Sequence, residues 1–250
     1  MKEIENLYAL IGYPLSHSFS PTYFTEKFER EHIPSSAYIA MPIESITELP
    51  EKLSTHSNLQ GMNVTIPYKQ QVMQYLDEID EGASVIGAVN TIRFRDGRLK
   101  GFNTDAMGFE LSLKELLGSV DYASLKALVL GSGGAAKAVN YVLWEMGIEY
   151  LLVSRNPEKG DIIYQDITPA ILEEYHLIVN TTPLGMSPNI DTAPDLPYEA
   201  LTAKHYLYDL VYNPEETLFL KFGKKQGAST MNGLKMLYLQ AEAAWKIWQE

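Results

Sequence analysis

The stretch Leu125-Lys-Ala-Leu-Val-Leu130, running into Gly131-Ser132-Gly133-Gly134-Ala135-Ala136, constrains this chain more than any other. An apolar, β-prone run stops at a G-x-G-x-x-A turn and leads into a helical segment, Lys137 to Met146. Gly147 then stops the helix, and a second strand follows over Ile148 to Val153. Strand, glycine turn, helix and strand in that order predict a dinucleotide site at Gly131–Ala135. Gly131 permits the tight turn, and Gly133 lets backbone N–H groups approach a pyrophosphate. Ala136 keeps helix and strand close, and the helix N-terminus supplies positive partial charge. A glycine turn with no ligand is the competing reading, and the strand after the helix weighs against it.

The end of the second strand says which nucleotide. An NAD site usually places Asp or Glu there to accept bonds from the free ribose 2′-hydroxyl. Here the chain reads Val153-Ser154-Arg155-Asn156-Pro157-Glu158-Lys159. Ser154 stands at the acidic position, and Arg155 and Lys159 follow within reach of a 2′-phosphate, which a guanidinium can grip with two parallel donors. The missing carboxylate favours NADP. Glu158 keeps NAD open, and Arg155 and Lys159 also read as solvated loop charges.

A chain of 250 residues with 46% hydrophobic content holds one large α/β domain or two modest ones. Its net charge of −12 argues against nucleic acid or an anionic membrane as main partner. The absence of cysteine excludes disulfides and thiolate chemistry. His17, His32, His56, His176 and His205 form no metal-binding pattern, so no metal is expected. Met1-Lys-Glu-Ile-Glu5 is unlike a signal peptide, and no apolar run approaches membrane-spanning length. A cytoplasmic protein is the expectation.

More than a hundred residues precede the glycine turn, enough for a separate N-terminal domain. Strands are predicted at Tyr8–Gly12, Ala37–Met41 and Gly61–Ile66. Helices are predicted from a Ser20-Pro21 cap to about Arg30, over Ile46–Leu53, and from Pro67 to Tyr75 with proline in the first turn. Val89–Arg95 and Arg98–Phe102 flank Asp96-Gly97, a strong hairpin signal. The alternation implies a mostly parallel sheet with an antiparallel hairpin added. Asp105–Gly118 reads as a connecting helix. Beyond the glycine turn, strands at Leu177–Asn180 and Tyr206–Leu210 precede a helix over Glu215–Gly223. Gly233–Trp248 has apolar residues at helical spacing.

The N-terminal half carries strings that composition does not explain. Gly12-Tyr-Pro-Leu-Ser-His17-Ser18-Phe-Ser20-Pro21 places two serines just before a helix, a plausible carboxylate receptor, with ordinary N-capping by Ser20 as the alternative. Gly61-Met-Asn-Val-Thr65-Ile-Pro-Tyr-Lys69 delivers a lysine into the first turn of a predicted helix, where the dipole disfavours it. Gly87-Ala-Val-Asn90-Thr91 and Gly101-Phe-Asn103-Thr104-Asp105 put amide and hydroxyl groups beside strand ends.

Together these strings resemble the shikimate dehydrogenase family. The resemblance covers nearly the whole chain in order, through N-T-T-P-L-G-M (180–186), D-L-V-Y-N-P-E-E-T (209–217) and N-G-L-K-M-L-Y-L-Q-A (232–241). It implies NADPH-dependent reduction of 3-dehydroshikimate to shikimate, on the route to chorismate and the aromatic amino acids. Ser18 and Ser20 would hold the substrate carboxylate with help from Tyr212. Thr65, Asn90, Asp105 and Gln240 would hold ring hydroxyls, and Lys69 with Asp105 would form the catalytic pair. Thr181 and Gly233 would join Gly131–Ala135, Ser154, Arg155 and Lys159 at the cofactor. Tyr23-Phe24 stands where the family often has His-Asn, and S-R-N replaces the common N-R-T in the nucleotide loop.

The implied fold is two α/β domains with a cleft between them. Residues 1–104 with 232–250 would form the substrate domain, and 105–231 a Rossmann-like NADP domain. The final helix would run back onto the first domain. Chemically, Lys69 as an ammonium could stabilise and protonate a developing alkoxide, and Asp105 could orient it; a structural salt bridge is the alternative. Two other readings compete: a quinate/shikimate dehydrogenase of the same fold, and a catalytically silent nucleotide-binding regulator. The sequence leaves a monomer or a homodimer equally open.

Overall fold

The structure is a computed structural model, and it describes residues 4–16 and 18–250. Met1–Glu3 and His17, the latter in the serine string, lie outside the described residues. The chain divides into two compact units, Met1–Thr104 with Ala241–Glu250, and Asp105–Gln240. The second unit thus takes in residues 232–240, which the sequence reading assigns to the first. No described helix is long and apolar enough to cross a membrane.

The first unit is built on six strands: β1 (Asn6–Gly12), β2 (Ser36–Pro42), β3 (Leu59–Val64), β4 (Glu78–Ile79), β5 (Thr91–Arg95) and β6 (Arg98–Phe102). Their order is β2-β1-β3-β5-β6-β4. β1 runs parallel to β2 and β3, and the β5–β6 hairpin adds antiparallel to β3. Asp96 and Gly97 both have positive φ, 52° and 74°, the left-handed pair that a two-residue hairpin turn needs.

Side-chain alternation along β1 makes two layers from one sheet. Leu7, Ala9 and Ile11 point into one cluster with Met41, Ile43, Leu49, Met62 and Val72. Tyr8 and Leu10 point the other way, into an aromatic cluster with Phe24, Phe28, Tyr38 and Trp248. Helix α1 (Phe19–Arg30) covers the aromatic face with the end of the C-terminal helix. Helices α2 (Leu49–Thr55) and α3 (Glu81–Ile86) lie elsewhere on this unit. Gly61 is glycine because a Cβ there would collide with the Trp248 indole, whose Nε1 donates to the Ile92 carbonyl at 3.0 Å. Buried Lys27 ties α1 to that helix through Glu242 at 2.9 Å.

The second unit holds helix α4 (Thr104–Leu117, its first residue still in the first unit), then β7 (Lys126–Leu130), α5 (Gly134–Glu145) and β8 (Glu149–Val153). It continues with α6 (Pro169–Leu172), β9 (Leu177–Asn180), β10 (Tyr206–Asp209), α7 (Leu218–Lys225), β11 (Ser229–Met231) and the start of α8 (Leu234–Gln249). Its strands are all parallel, in the order β11-β10-β9-β7-β8. Continuous apolar runs such as Leu177-Ile-Val179 are fully buried, as strands covered on both faces must be. Gly108 lets α4 and α8 pack closely, since a Cβ there would sit 2.6 Å from the Met236 carbonyl oxygen.

Among the predicted boundaries that move, three have a clear local cause. Pro67–Tyr75 is not one helix: turns lead to a short 3-10 helix over Gln71–Tyr75. The Lys69 carbonyl, which would accept an intrahelical bond, is taken by Val89 N–H at 2.7 Å. Ser20 lies inside α1, and Ser18 is the N-cap position. Helix α7 begins at Leu218, where the Thr217 hydroxyl accepts from Leu220 N–H, instead of at Glu215.

Candidate active site

In open α/β sheets, ligands bind beyond the carboxyl ends of strands, where successive connections leave in opposite directions. In the first sheet β1 has β2 on one side and β3 on the other, so that point lies beyond Gly12 and Val64. The loops there are laced together. Thr65 N–H donates to Ile11 O at 2.9 Å and Tyr13 N–H to Ile66 O at 3.2 Å; a Cβ on Gly12 would strike Thr65. Because β5 pairs antiparallel with β3, Asn63 opposite Thr91, Asn90 arrives at the same edge. Val64 N–H donates to Asn90 O at 2.8 Å, and the Val89–Lys69 bond fixes the lysine turn beside it. Thr65, Lys69 and Asn90 are thereby gathered from two segments, the connection after β3 and the one before β5, and Ser18 and Ser20 enter α1 from the loop that follows β1.

Lys69 sits in a turn pinned by its own carbonyl, so the expected conflict with a helix dipole does not arise. Ser18 has extended backbone, and its hydroxyl makes no capping bond. The first turn of α1 carries no acidic residue, which leaves this helix N-terminus suited to an anion. Ser20 hydrogen-bonds toward the Tyr38 phenol, whose acidity burial suppresses. Asn90 is buried; its carboxamide oxygen accepts from Thr104 N–H at 2.7 Å. Its NH2 group is the half that can face a ligand.

The second sheet has its own such point, between β7 and β9. Gly131, at φ 103°, turns there, and a Cβ on it would meet Thr181 Oγ1 at 2.9 Å and Thr182 Cγ2 at 2.8 Å. Thr181 holds the turn by donating to Leu130 O at 2.7 Å. Ser132, Gly133, Gly134 and Ala135 are exposed, and a Cβ on either glycine would meet nothing within 4 Å. Ala136 is buried. No acidic residue occupies the first turn of α5. This is an open cradle of backbone donors at a helix N-terminus, and it fits a dinucleotide pyrophosphate.

Ser154 is buried at the end of β8; its hydroxyl bonds Ser132 at 3.2 Å and accepts from Asn156 N–H at 3.2 Å. It braces the two loops against each other. Gly160 packs on it, where a Cβ would sit 2.8 Å from Ser154 Cβ. Arg155, Glu158 and Lys159 are exposed; burial pushes the Tyr164 phenol pKa up, and the nearby Arg155 charge offsets only part of that. The residues present fit a 2′-phosphate.

Asp105, Tyr212, Gly233 and Gln240 stand in the second unit. Asp105 is half-buried in the first turn of α4, and Tyr212 is exposed just past β10. Gly233 opens α8 against the Leu210 carbonyl, an approach that a Cβ would block. Gln240 is buried, and its Nε2 donates to Leu237 O at 3.0 Å.

Sequence reasoning missed the groups behind these loops. Asp209 is fully buried, and its carboxylate accepts from Asn180 Nδ2 (2.9 Å), Val211 N–H (3.0 Å) and the Thr217 hydroxyl (2.6 Å). Asn180 Oδ1 in turn accepts from Thr182 N–H and its hydroxyl. A polar residue ending each apolar run, Leu177-Ile-Val-Asn180 and Tyr206-Leu-Tyr-Asp209, was the available signal.

Burial outweighs those bonds and pushes the Asp209 pKa from 3.8 up to about 6. The folded state therefore holds this proton more tightly than the unfolded one. The associated stability is present in full below about pH 4 and is lost as pH rises through about 6. Two pKa units correspond to about 3 kcal/mol. Asp209→Asn does not titrate, so the wild-type advantage over it should fall by about that much between pH 4 and 6 in urea unfolding. A difference independent of pH would show that Asp209 titrates normally.

Comparison with known proteins agrees with this geometry. The family model for the shikimate dehydrogenase substrate binding domain matches residues 10–92. The NADP(+) shikimate dehydrogenase of Carboxydothermus hydrogenoformans is 41% identical, over 97% of this chain and 91% of its own length. Among solved structures, shikimate 5-dehydrogenase from Thermus thermophilus, in complex with NADP(H) and shikimate, is 33% identical with a TM-score of 0.82. That match covers 97% of this chain and 92% of the other. Quinate dehydrogenase from Corynebacterium glutamicum, in complex with NAD, is 26% identical with a TM-score of 0.88, over 98% and 93% of the two chains. With a relative 41% identical along nearly its whole length, and with the glycine cradle and the serine–lysine edge each standing at a strand-end switch point, this chain belongs to the shikimate dehydrogenase family.

Proposed function

We propose that this chain catalyses the reversible NADPH-dependent reduction of 3-dehydroshikimate to shikimate, on the route to chorismate and the aromatic amino acids. In this reading the first unit is the substrate domain and the second the NADP domain. The observation that carries it is the gathering of Thr65, Lys69 and Asn90 at one sheet edge, beside the loop that delivers Ser18 and Ser20. Ser18 and Ser20 donate to the substrate carboxylate with Tyr212, at a helix N-terminus free of competing acids. Thr65, Asn90, Asp105 and Gln240 hold the ring oxygens.

Gly131–Ala135, Ser154, Arg155, Lys159, Thr181 and Gly233 would hold NADPH, which when bound would supply the hydride for reduction of the ketone. Lys69 provides the matching proton. Its ammonium stabilises negative charge growing on the carbonyl oxygen and then transfers the proton, which leaves a neutral amine to be recharged from water. Asp105 orients that ammonium and keeps it charged. We further place the enzyme in the cytoplasm as a monomer or homodimer. The likeness to a quinate dehydrogenase supports a second reading, dual use of quinate and shikimate.

Two serine variants test the carboxylate reading. Ser18→Ala and Ser20→Ala should each raise KM for shikimate by roughly ten- to a hundredfold, the scale of a hydrogen bond to a charged group. KM for NADP+ should stay unchanged. Since neither hydroxyl caps α1, neither variant should lose the ~1 kcal/mol typical of a deleted cap. An unchanged KM in both would move the carboxylate to another site.

A further inference from the structure

Behind Asn90 lies a chain of buried side chains whose proton directions are fixed by main-chain groups. Asn63 and Asn90 are 4% and 3% exposed, Thr91 and Thr104 both 0%. Asn63 Nδ2 faces the Asn90 main-chain carbonyl at 3.3 Å, which can only accept, so that atom must be the NH2. Asn63 Oδ1 therefore accepts from the Tyr38 hydroxyl at 2.8 Å. The second Nδ2 proton goes to Thr91 Oγ1 at 3.1 Å, and the Thr91 proton must then point onward. Its targets are Asn90 Oδ1 at 3.2 Å and Thr104 Oγ1 at 3.0 Å. Thr104 Oγ1 also reaches Asn90 Oδ1 at 3.1 Å, and Thr104 N–H, which can only donate, does so at 2.7 Å.

We infer that Thr91 and Thr104 are positioning residues, whose buried hydroxyls hold the Asn90 carboxamide oxygen inward so that its NH2 meets an acceptor oxygen of the bound substrate. The inference rests on the proposed reading that Asn90 faces the substrate ring. The orientation has a chemical consequence. An NH2 group serves the oxygen of a hydroxyl and of the ketone formed from it, whereas an outward carbonyl oxygen would serve the hydroxyl alone. A reversible dehydrogenase binds both. Flipping Asn90 would also set its NH2 against Thr104 N–H, donor against donor, so the network leaves one orientation.

Steady-state kinetics on paired variants tests this. Thr91→Val and Thr104→Val keep side-chain shape and remove one hydroxyl each. Either should raise KM for shikimate by roughly three- to tenfold, the scale of one net hydrogen bond. KM for NADP+ should stay as in wild type. Thr91→Ser and Thr104→Ser keep the hydroxyl and should restore KM. A Val variant that fails to fold leaves the other pair to decide. Equal KM in the Val and Ser variants of both pairs would overturn the inference, since the effect would then follow volume and not the hydroxyl. Asn90→Ala separates the two levels. If it raises KM while both Val variants do not, the positioning role fails and Asn90 keeps its place at the substrate. If it leaves KM unchanged, Asn90 is not at the substrate and the inference falls with that reading.

Discussion

Lys69→Ala should lower kcat by roughly two to four orders of magnitude, the scale of a lost proton donor and oxyanion partner. That corresponds to about 3–5 kcal/mol of transition-state stabilisation. The backbone around Lys69 is held by main-chain bonds, Val89 N–H to Lys69 O and Tyr68 N–H to Thr65 O, which the substitution does not touch. The loss should therefore be chemical rather than structural. KM for NADP+ should stay near the wild-type value, because the glycine cradle belongs to the other unit. Lys69→Arg makes a sharper comparison: it keeps a cation but cannot give up its proton near neutral pH. It should recover little of kcat. Near-normal turnover in the alanine variant would remove Lys69 from the mechanism.

Arg155→Ala should cut kcat/KM for NADPH by roughly ten- to a hundredfold and leave NADH almost unaffected, since a guanidinium grips a phosphate through paired charge-assisted bonds. The structure puts Arg155 in an exposed loop whose base is set by the buried Ser154, so the guanidinium is presented rather than packed. Kinetics with both reduced cofactors at saturating 3-dehydroshikimate checks this. Equal losses with NADPH and NADH would mean that Arg155 supports the loop and does not read the 2′-phosphate.

Local chemistry made much of this fold legible. Asp96-Gly97 announced a hairpin because few other pairs accept two left-handed residues, and both φ values are positive. Leu125–Ala136 announced a strand entering a helix through glycine, and Gly131 does turn at φ 103°. Legibility failed where a distant partner decided. Lys69 looked helical in its own neighbourhood, and a bond from Val89 decided otherwise. Ser20-Pro21 resembled a cap, yet the helix starts at Phe19. Elements as short as β4 and α6 carry too few residues for any periodicity to show.

The same reasoning explains which candidate site residues were visible. Ser18, Thr65, Lys69 and Asn90 lie at strand ends and in loops, and Ser20 in the first turn of a helix, where polar side chains stand out against apolar runs. Asn63 and Thr91 sit within or beside strands, and Asp209 ends one. Their polarity is spent on partners that only the folded chain brings within reach. A buried amide in an apolar strand nonetheless signals a network, because burial without a partner costs ~1–3 kcal/mol.

The most direct test of the account is the rate of NADPH oxidation by the purified full chain with 3-dehydroshikimate, run beside 3-dehydroquinate and beside NADH. Saturable turnover of 3-dehydroshikimate with NADPH is expected, at a kcat/KM well above either substitute, and lower by roughly a hundredfold or more in Lys69→Ala. Absence of turnover with 3-dehydroshikimate by a folded, NADPH-binding protein would contradict it.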